Sequence, residues 1–446
     1  MKFDLIVIGA GSGLNVAAAA RNLKVAMVEE GPLGGTCLNR GCIPSKILIH
    51  TADVLQTIKH ADKFNIKIDG KITVDFKKIM ERSWVVDKEA KDIEENIRKA
   101  PNITLFKGRG VFVGPKTLQI SETQITADKI LIAAGTRPSI PRIEGLDNVP
   151  YMTSDELLRV EKLPKKLIII GGGYIATELA HFFGSMGSEI SVLQRPDHLL
   201  PDEDEEISRE FTKLFSEQYD VHLGFNATKV TKKGNKIIVT SKDGKTVDGT
   251  DLLIATGRKP NTDLLHVEKT GVKTNNLGYI ETNEYLETNI PGIWALGDII
   301  GKYQFKHSAN LESEYAVHNI LHSDKKIPVD YTAMPHAIFT YPQIAGVGVT
   351  EQELQEKEIS YMIGRYNYVD SGMGLAMKEE GSFVKFLVDY EGKILGCHIM
   401  GAEASTLIHE VLVSMRRGKA NINDILRTVH IHPALSEIVE RGAESI

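Results

Sequence analysis

The chain has 446 residues, too many for one hydrophobic core, and reads as about three domains. A net charge of -6 with 25% charged residues argues against a broadly basic nucleic-acid surface, and three cysteines exclude a disulfide-stapled secreted fold. No apolar run reaches membrane-spanning length, so a cytoplasmic protein with neither nucleic acid nor membrane as a partner is expected.

FDLIVIGAGSG (3–13) predicts a buried strand, a glycine turn and then an alanine-rich helix through about Leu23, with KVAMVEE as the second strand. Gly9 and Gly11 let the backbone turn tightly and approach a pyrophosphate, to which the helix start offers free N–H groups. Glu29, at the end of the second strand, is placed for a ribose 2′-hydroxyl. The third glycine position of G-x-G-x-x-G holds Leu14, with Gly13 before it. Helix and strand are therefore expected to pack slightly differently there, while the phosphate contact survives.

Directly downstream, GGTCLNRGCIPSK (34–46) carries Cys37 and Cys42 with four residues between them. One regular helix would hold their α-carbons about 7.5 Å apart along its axis and on different faces, beyond the roughly 7 Å limit for a disulfide. A helix is expected to begin near Cys42 instead, with Gly41 loosening the chain before it and Pro44 in the first turn, where a missing N–H costs nothing. Free N–H groups and the helix dipole then favour a thiolate on Cys42, leaving Cys37 as the more accessible sulfur. A metal pair or two buried thiols is the alternative, but no second Cys or Cys/His pair lies nearby to complete a zinc site, and no metal is expected. The third cysteine, Cys397 in KILGCHIM, reads as a buried structural thiol.

Phe76 to Arg98 reads as one long amphipathic helix, and KILIAAGTRP (129–138) as a strand with a glycine turn. The strand–turn–helix–strand plan recurs at LIIIGGGYIATELAHFFGSMGSEISVLQR (167–195), with Gly171, Gly173 and Ala176 at the turn, and DLLIATGRKPN (251–261) trails it. Two such units imply two bound nucleotides. The second ends in Gln194 and Arg195, where a carboxylate would grip a free ribose hydroxyl. Arginine pairs with a 2′-phosphate, so NADPH is favoured over NADH, a solvated surface charge being the alternative for Arg195. GIWALGDI (292–299) reads as a strand ending in an acidic residue, followed by the helical LESEYAVHNIL. Beyond about Lys326 come strands such as FVKFLVDYEGKILGCHIMG and helices such as ASTLIHEVLVSMRR, whose apolar faces suit a partner subunit and an ordinary core equally.

These residues resemble the class I pyridine nucleotide-disulfide oxidoreductases over essentially the whole chain, a family that includes dihydrolipoamide dehydrogenases and glutathione, mycothione and mercuric reductases. GGTCLNRGCIPSK is most similar to the dihydrolipoamide dehydrogenase and mycothione reductase branches. The GAGSGL turn, FKHSAN (305–310), and GCHIMGAEAS with HIHPALSEIVE lean toward the latter. Mercuric reductases typically end in a cysteine pair, whereas this chain ends in RGAESI.

The resemblance implies an α/β fold with two Rossmann-like dinucleotide-binding domains and a C-terminal α+β dimerisation domain. Residues 1–143 would bind FAD, 144–268 NAD(P), 269–325 would complete the FAD domain and 326–446 would form the interface. FAD is expected on Gly9, Gly11, Gly13, Glu29, Gly35, Thr36, Lys46, Gly135 and Asp298, the last at its ribityl or phosphate end. The pyridine nucleotide, NADPH or alternatively NADH, is expected on Gly171, Gly173, Tyr174, Ile175, Glu178, Arg195 and Gly257. Lys46 matches a lysine beside the reactive flavin edge, Glu178 the carboxylate paired with it, and Tyr174 a residue that covers the flavin until nicotinamide displaces it. Ordinary packing at the helix start is the alternative for Tyr174.

His432 and Glu437 match the family's acid-base pair, in which an imidazole exchanges a proton near neutral pH and the carboxylate fixes its tautomer. His430 has no such motif position and reads as structural. In the family this pair reaches the dithiol of the other subunit, implying a homodimer with an intersubunit active site. The implied activity is electron transfer between NAD(P)H and a small disulfide or dithiol through FAD and a Cys37/Cys42 redox disulfide. Alternatives are a mercuric-ion reductase or flavin oxidase using the same dithiol, and a docked component of a 2-oxo-acid dehydrogenase complex.

Overall fold

The computed structural model describes residues 1–446, which divide into two compact units, the first made of residues 1–47, 80–139 and 257–330. Its sheet runs Ile103–Lys107, Val25–Glu29, Lys2–Ile8, Thr123–Ile132, Thr117–Ile120, Gly110–Gly114, with Ile293–Ala295 also pairing Thr123–Ile132. The first four strands and Ile293–Ala295 pair in parallel, and the remaining two close an antiparallel meander. Leu5, Val7, Val25 and Met27 pack on one face, and Ile6, Ile8, Ala26 and Val28 on the other. Burial of both faces is why these strands read as continuous apolar runs.

Two helices differ from expectation. The first spans only Gly13–Ala19 and not through Leu23, because the Asn102 side chain takes up the carbonyls of Ala20 and Leu23 at 3.0 and 3.1 Å and turns the chain early. Phe76 to Arg98 is two helices, Phe76–Ser83 and Val86–Lys99. Ser83 Oγ donates to the Met80 carbonyl at 2.7 Å and Trp84 N–H reaches back only to Glu81, so the turn tightens and the helix stops. The Asp298 region also differs: the strand is Ile293–Ala295, and Asp298 sits on the 3₁₀ turn Gly297–Ile300 after it.

The second unit comprises residues 48–79, 140–256 and 331–446. A parallel sheet orders Asp220–His222, Glu189–Leu193, Lys166–Ile170 and Asp251–Ile254, joined by an antiparallel meander of Ala227–Lys233, Lys236–Ser241 and Thr246–Gly249. Residues 335–400 form a five-stranded antiparallel sheet, ordered Pro335–Ile338, Ile344–Gly348, Ile394–Met400, Phe383–Val388, Met362–Asn367. Helices Ala404–Arg417 and Glu437–Glu444 pack on one of its faces over Val347, Val384, Phe386 and Ile399. Cys397 is buried in that core, and burial pushes its thiol pKa well up, as expected of a structural cysteine.

The opposite face carries a cross-strand row in register, His336, Gly346, His398, Lys385, Arg365. It meets the acidic stretch Glu203–Asp204–Glu205–Glu206: Lys385 Nζ lies 2.8 Å from Asp204 and 3.2 Å from Glu206, His336 lies 2.7 Å from Glu203, and Arg365 2.7 Å from Glu206. Glycine is required at 346, where a Cβ would stand 2.6 Å from the His336 ring. No helix is long and apolar enough to cross a membrane.

Candidate active site

Cys37 lies in the short helix Gly35–Arg40, and Cys42 is the first residue of the helix Cys42–Lys59. Gly41 separates the two helices, its φ of -144° and ψ of -115° breaking the run, and a Cβ there would sit 3.0 Å from the Thr36 carbonyl. The Ser45 N–H closes the first turn onto the Gly41 carbonyl at 3.1 Å, leaving Pro44 where no donor is needed. Both cysteines are free thiols, half-buried and joined by a side-chain hydrogen bond. That hydrogen bond, then burial and the neighbouring charge on Cys42, hold the Cys37 thiol pKa far above its ordinary value. Cys37 is thus the sulfur that holds its proton tightly.

The first glycine turn is built for close approach. Gly9 has φ +100°, and a Cβ there would lie 2.3 Å from the Ala133 carbonyl. Gly13 takes over the helix–strand packing one residue before the usual position, where a Cβ would meet Val7 at 2.9 Å, and Leu14 packs into the neighbouring core. Glu29 accepts N–H bonds from Ala10 at 2.8 Å and Gly31 at 2.7 Å, and it lines an open cleft with Gly9, Glu30, Arg109, Asn261 and Leu264. Gly34 N–H bonds the Ala10 carbonyl at 2.8 Å, bringing Gly35 and Thr36 to the same turn. A glycine cradle, a cleft and an acidic ribose partner fit the FAD expected here.

The two glycine-turn tails pair with each other. Thr136–Pro138 and Arg258–Pro260 form an antiparallel ribbon, and the Asn261 N–H bonds the Gly135 carbonyl at 3.1 Å, as Ser139 N–H bonds that of Gly257 at 2.9 Å. Thr136 Oγ1 donates to Asp298 Oδ2 at 2.9 Å and receives Arg258 Nε at 2.7 Å, so Asp298 is held by two residues that no motif singled out.

In the second unit, Gly171 has φ +119°, where a Cβ would strike the Ala255 carbonyl at 2.2 Å, and Gly173 leads into the helix Tyr174–Met186 with open space before it. Gln194 is buried against Gly172, and Arg195 is exposed with no ion pair in the chain. Ile175 is half-buried beside Tyr174, and the Glu178 carboxylate accepts the Phe339 N–H at 3.0 Å. The Tyr174 hydroxyl is hydrogen-bonded to Glu203, and its ring stacks on His336 with centroids 6.4 Å apart. Burial, followed by the Glu203 charge, raises the Tyr174 pKa far beyond its usual value. The buried His181, one turn past Glu178, bonds Asp53 at 2.8 Å and stacks on Tyr341, contacts that no motif marks. Lys46 follows Cys42 by one helical turn, in the first unit, whereas Glu178 belongs to the second.

His432 Nδ1 lies 2.9 Å from Glu437 Oε1, and the other carboxylate oxygen accepts the Ala434 N–H at 3.1 Å. The His432 hydrogen bond and then the Ala434 N–H hold the Glu437 carboxyl below its ordinary range. The ring itself is 78% exposed, with Val429 94% and Ile431 76% exposed next to it. His430, by contrast, is inserted between Glu410 at 2.7 Å and Glu440 at 3.5 Å, which suits a structural histidine.

The Pyridine nucleotide-disulphide oxidoreductase family matches residues 3–313, and that family's dimerisation domain matches residues 334–443. A dihydrolipoyl dehydrogenase of Chlamydia muridarum is 34% identical over 99% of this chain and 96% of its own length. A mycothione reductase of Mycobacterium tuberculosis is 35% identical over 99% of this chain and 98% of its own. Among solved structures, the Cu(II) complex of the HOCl-induced flavoprotein disulfide reductase RclA from Escherichia coli superposes with a TM-score of 0.89 at 27% identity, covering 100% of this chain and 99% of that one.

Proposed function

Because the chain belongs to the pyridine nucleotide-disulphide oxidoreductase family, which uses FAD and NAD(P)H, we propose that it reduces a low-molecular-weight disulfide through Cys37 and Cys42. The observation that carries this reading is the hydrogen-bonded thiol pair at the junction of two helices, in which Cys37 holds its proton tightly and Cys42 opens the second helix. Residues 1–143 and 269–325 form the FAD domain of this reading, 144–268 the NAD(P) domain and 326–446 the interface.

Bound FAD and pyridine nucleotide supply the hydride and electron chemistry that reduces the pair. Gly9, Gly11, Gly13, Glu29, Gly35, Thr36, Gly135 and Asp298 hold the first, and Gly171, Gly173, Ile175, Arg195 and Gly257 the second. Lys46 would take the family's flavin-edge role, Glu178 that of the family's carboxylate, and Tyr174 that of the residue that nicotinamide displaces. His432 of one subunit removes the Cys37 proton, and the Cys37 sulfur attacks one sulfur of the substrate disulfide. The protonated imidazole returns that proton to the departing thiolate. Cys42 then attacks Cys37 in the mixed disulfide, closing the Cys37–Cys42 bond and releasing the second thiolate, which takes its proton from solvent. Dihydrolipoamide oxidation is the same sequence in reverse. The Glu437 carboxylate keeps His432 in the tautomer this exchange needs.

The exposed Val429 and Ile431 beside His432, inside a dimerisation domain, support burial of this edge against a second copy. His432→Gln should leave FAD bound and slow disulfide turnover on the order of a hundredfold. Mixed with inactive Cys37→Ser protein under conditions of subunit exchange, it should recover activity, since one hybrid site holds an intact Cys37 and an intact His432. Hybrids no more active than their parents would place His432 and Cys37 in the same subunit.

Arg195→Glu should raise KM for NADPH at least tenfold more than KM for NADH, about 1.4 kcal/mol of discrimination. A wild-type preference for NADH of that size would remove the role given to Arg195 and favour dihydrolipoamide as substrate. Steady-state assays with lipoamide, glutathione, bis-γ-glutamylcystine, mycothione and coenzyme A disulfides test the substrate class. Mercuric-ion or oxygen-dependent NADPH oxidation in place of all five would reject it.

A further inference from the structure

Lys306 opens the helix Lys306–Leu321 inside FKHSAN, a motif that the proposed reaction leaves without a task. Its ammonium is half-buried and makes a single hydrogen bond in the chain, to the Ser12 hydroxyl at 2.8 Å, which in turn donates to Asn310 Oδ1 at 3.1 Å. It has no carboxylate in ion-pairing range. A cation withdrawn from water with only a neutral partner is costly unless an anion forms beside it.

The surrounding backbone identifies where that anion forms. Ser12 belongs to the first glycine turn, and this turn is pressed against the start of the Cys37 helix. Gly34 N–H bonds the Ala10 carbonyl at 2.8 Å, and a Cβ on Gly35 would stand 2.6 Å from Gly11 Cα. Cys37 follows two residues later, and Gly41 packs Cys42 back against it. Three segments remote in sequence thus bring Lys306 and both sulfurs to one place.

We propose that Lys306 is the counter-ion of the dithiol, its ammonium stabilising the thiolate that Cys42 carries once the pair is reduced. The electrostatics agree: burial lowers the Lys306 pKa, while charge on Cys37, on Cys42 and then on Asp298 pushes it back up, and Lys306 draws the Cys37 pKa down. The other charged residues on the cysteine segment are Arg40, at the end of the Cys37 helix, and Lys46, one turn after Cys42. The inference rests on Cys37 and Cys42 being the redox pair. It adds a residue that controls how readily that pair ionises and how strongly its reduced form is favoured.

The test uses the full-length FAD-loaded protein, reduced and then alkylated with iodoacetamide across pH, with labelling at each cysteine read by peptide mass spectrometry. Lys306→Gln should move the midpoint of Cys42 labelling up by about one pH unit or more, a tenfold loss of thiolate below that midpoint. Lys306→Arg should keep it near wild type. In a glutathione redox buffer the Lys306→Gln disulfide should also be harder to reduce than wild type, a shift that a merely structural lysine would not produce. Superimposable labelling profiles for wild type and Lys306→Gln overturn the inference. So does loss of FAD with unchanged thiol titration, which would make Lys306 a phosphate partner of the cofactor. If the wild type forms no reversible Cys37–Cys42 disulfide, the redox-pair reading falls and this inference with it; a wild-type disulfide with unshifted profiles overturns the inference alone.

Discussion

Cys37→Ser is expected to lower disulfide turnover on the order of 10⁴-fold or more while the protein still binds FAD, because the residue lost is the one that forms the bond to substrate. A serine hydroxyl at the same place keeps the hydrogen bond toward Cys42 but does not attack a disulfide at neutral pH. Cys42→Ser should lose multiple turnover to a similar degree for a different reason: Cys37 can still form the mixed disulfide, and nothing resolves it. The two variants therefore separate by product. After one exposure to substrate disulfide, Cys42→Ser should carry the substrate's thiol on Cys37, visible as an added mass, and Cys37→Ser should not. Swapped adducts would mean that Cys42 is the attacking sulfur. The physical basis is the asymmetry of the pair, with Cys42 at the first residue of an 18-residue helix and Cys37 protonated beside it.

Lys385→Met should destabilise the protein by about 3–5 kcal/mol, the usual cost of stranding one side of a buried ion pair. Lys385 and Asp204 are both fully buried and 2.8 Å apart, with Glu351 at 2.6 Å as a second partner. Denaturant unfolding followed by circular dichroism measures the loss. The double variant Lys385→Met, Asp204→Leu should recover much of it, since the pair is then replaced by apolar groups of similar volume. A double variant no more stable than the single would mean that the cost comes from packing.

The same row sets a pH dependence whose sign can be stated. Burial opposes ionisation of Glu203 and Asp204, but His336 outweighs it for the first, and His398 and Lys385 for the second, so both carboxyls sit below their ordinary pKa. The stability they contribute is present above the unfolded carboxylate value and is lost as pH falls through the lower folded values. Lys385 is held above its ordinary pKa by Asp204 and Glu351 despite burial, so its share is lost only as pH rises through that raised value. Burial holds the His398 imidazole below its ordinary pKa, so unfolding free energy should already decline as pH drops below about 6.5 and should drop further below about pH 4, and Lys385→Met should shrink the lower drop.

The sequence by itself determined the local features: the glycine turns at Gly9 and Gly171, the apolar strands leading into them, and the break between the cysteines with a new helix at Cys42. Each follows from interactions among residues close in the chain. The φ of +100° at Gly9 and +119° at Gly171 leaves no room for a Cβ, a proline is free only in a helix's first turn, and two buried faces need an unbroken apolar run. The matching tails IAAGTRP and IATGRKPN were legible as similar segments.

Only the tertiary structure decided that those tails pair with each other, because strand pairing across 122 residues of sequence, as in the Thr136–Arg258 bond, leaves no local pattern. It likewise ended the first helix at Ala19 through the distant Asn102, and split Phe76 to Arg98 at Ser83, where amphipathic spacing alone predicts continuation. The acidic run at 203–206 and the basic residues at 336, 365, 385 and 398 look like solvated charges when read singly. Folding stacks the bases in one cross-strand row and buries Glu203 and Asp204 against it. Lys306 shows the same limit at the dithiol: its position was visible in FKHSAN, but its charge gains a partner only when three distant helix starts converge, since an ion pair is set by distance in space and not by spacing along the chain.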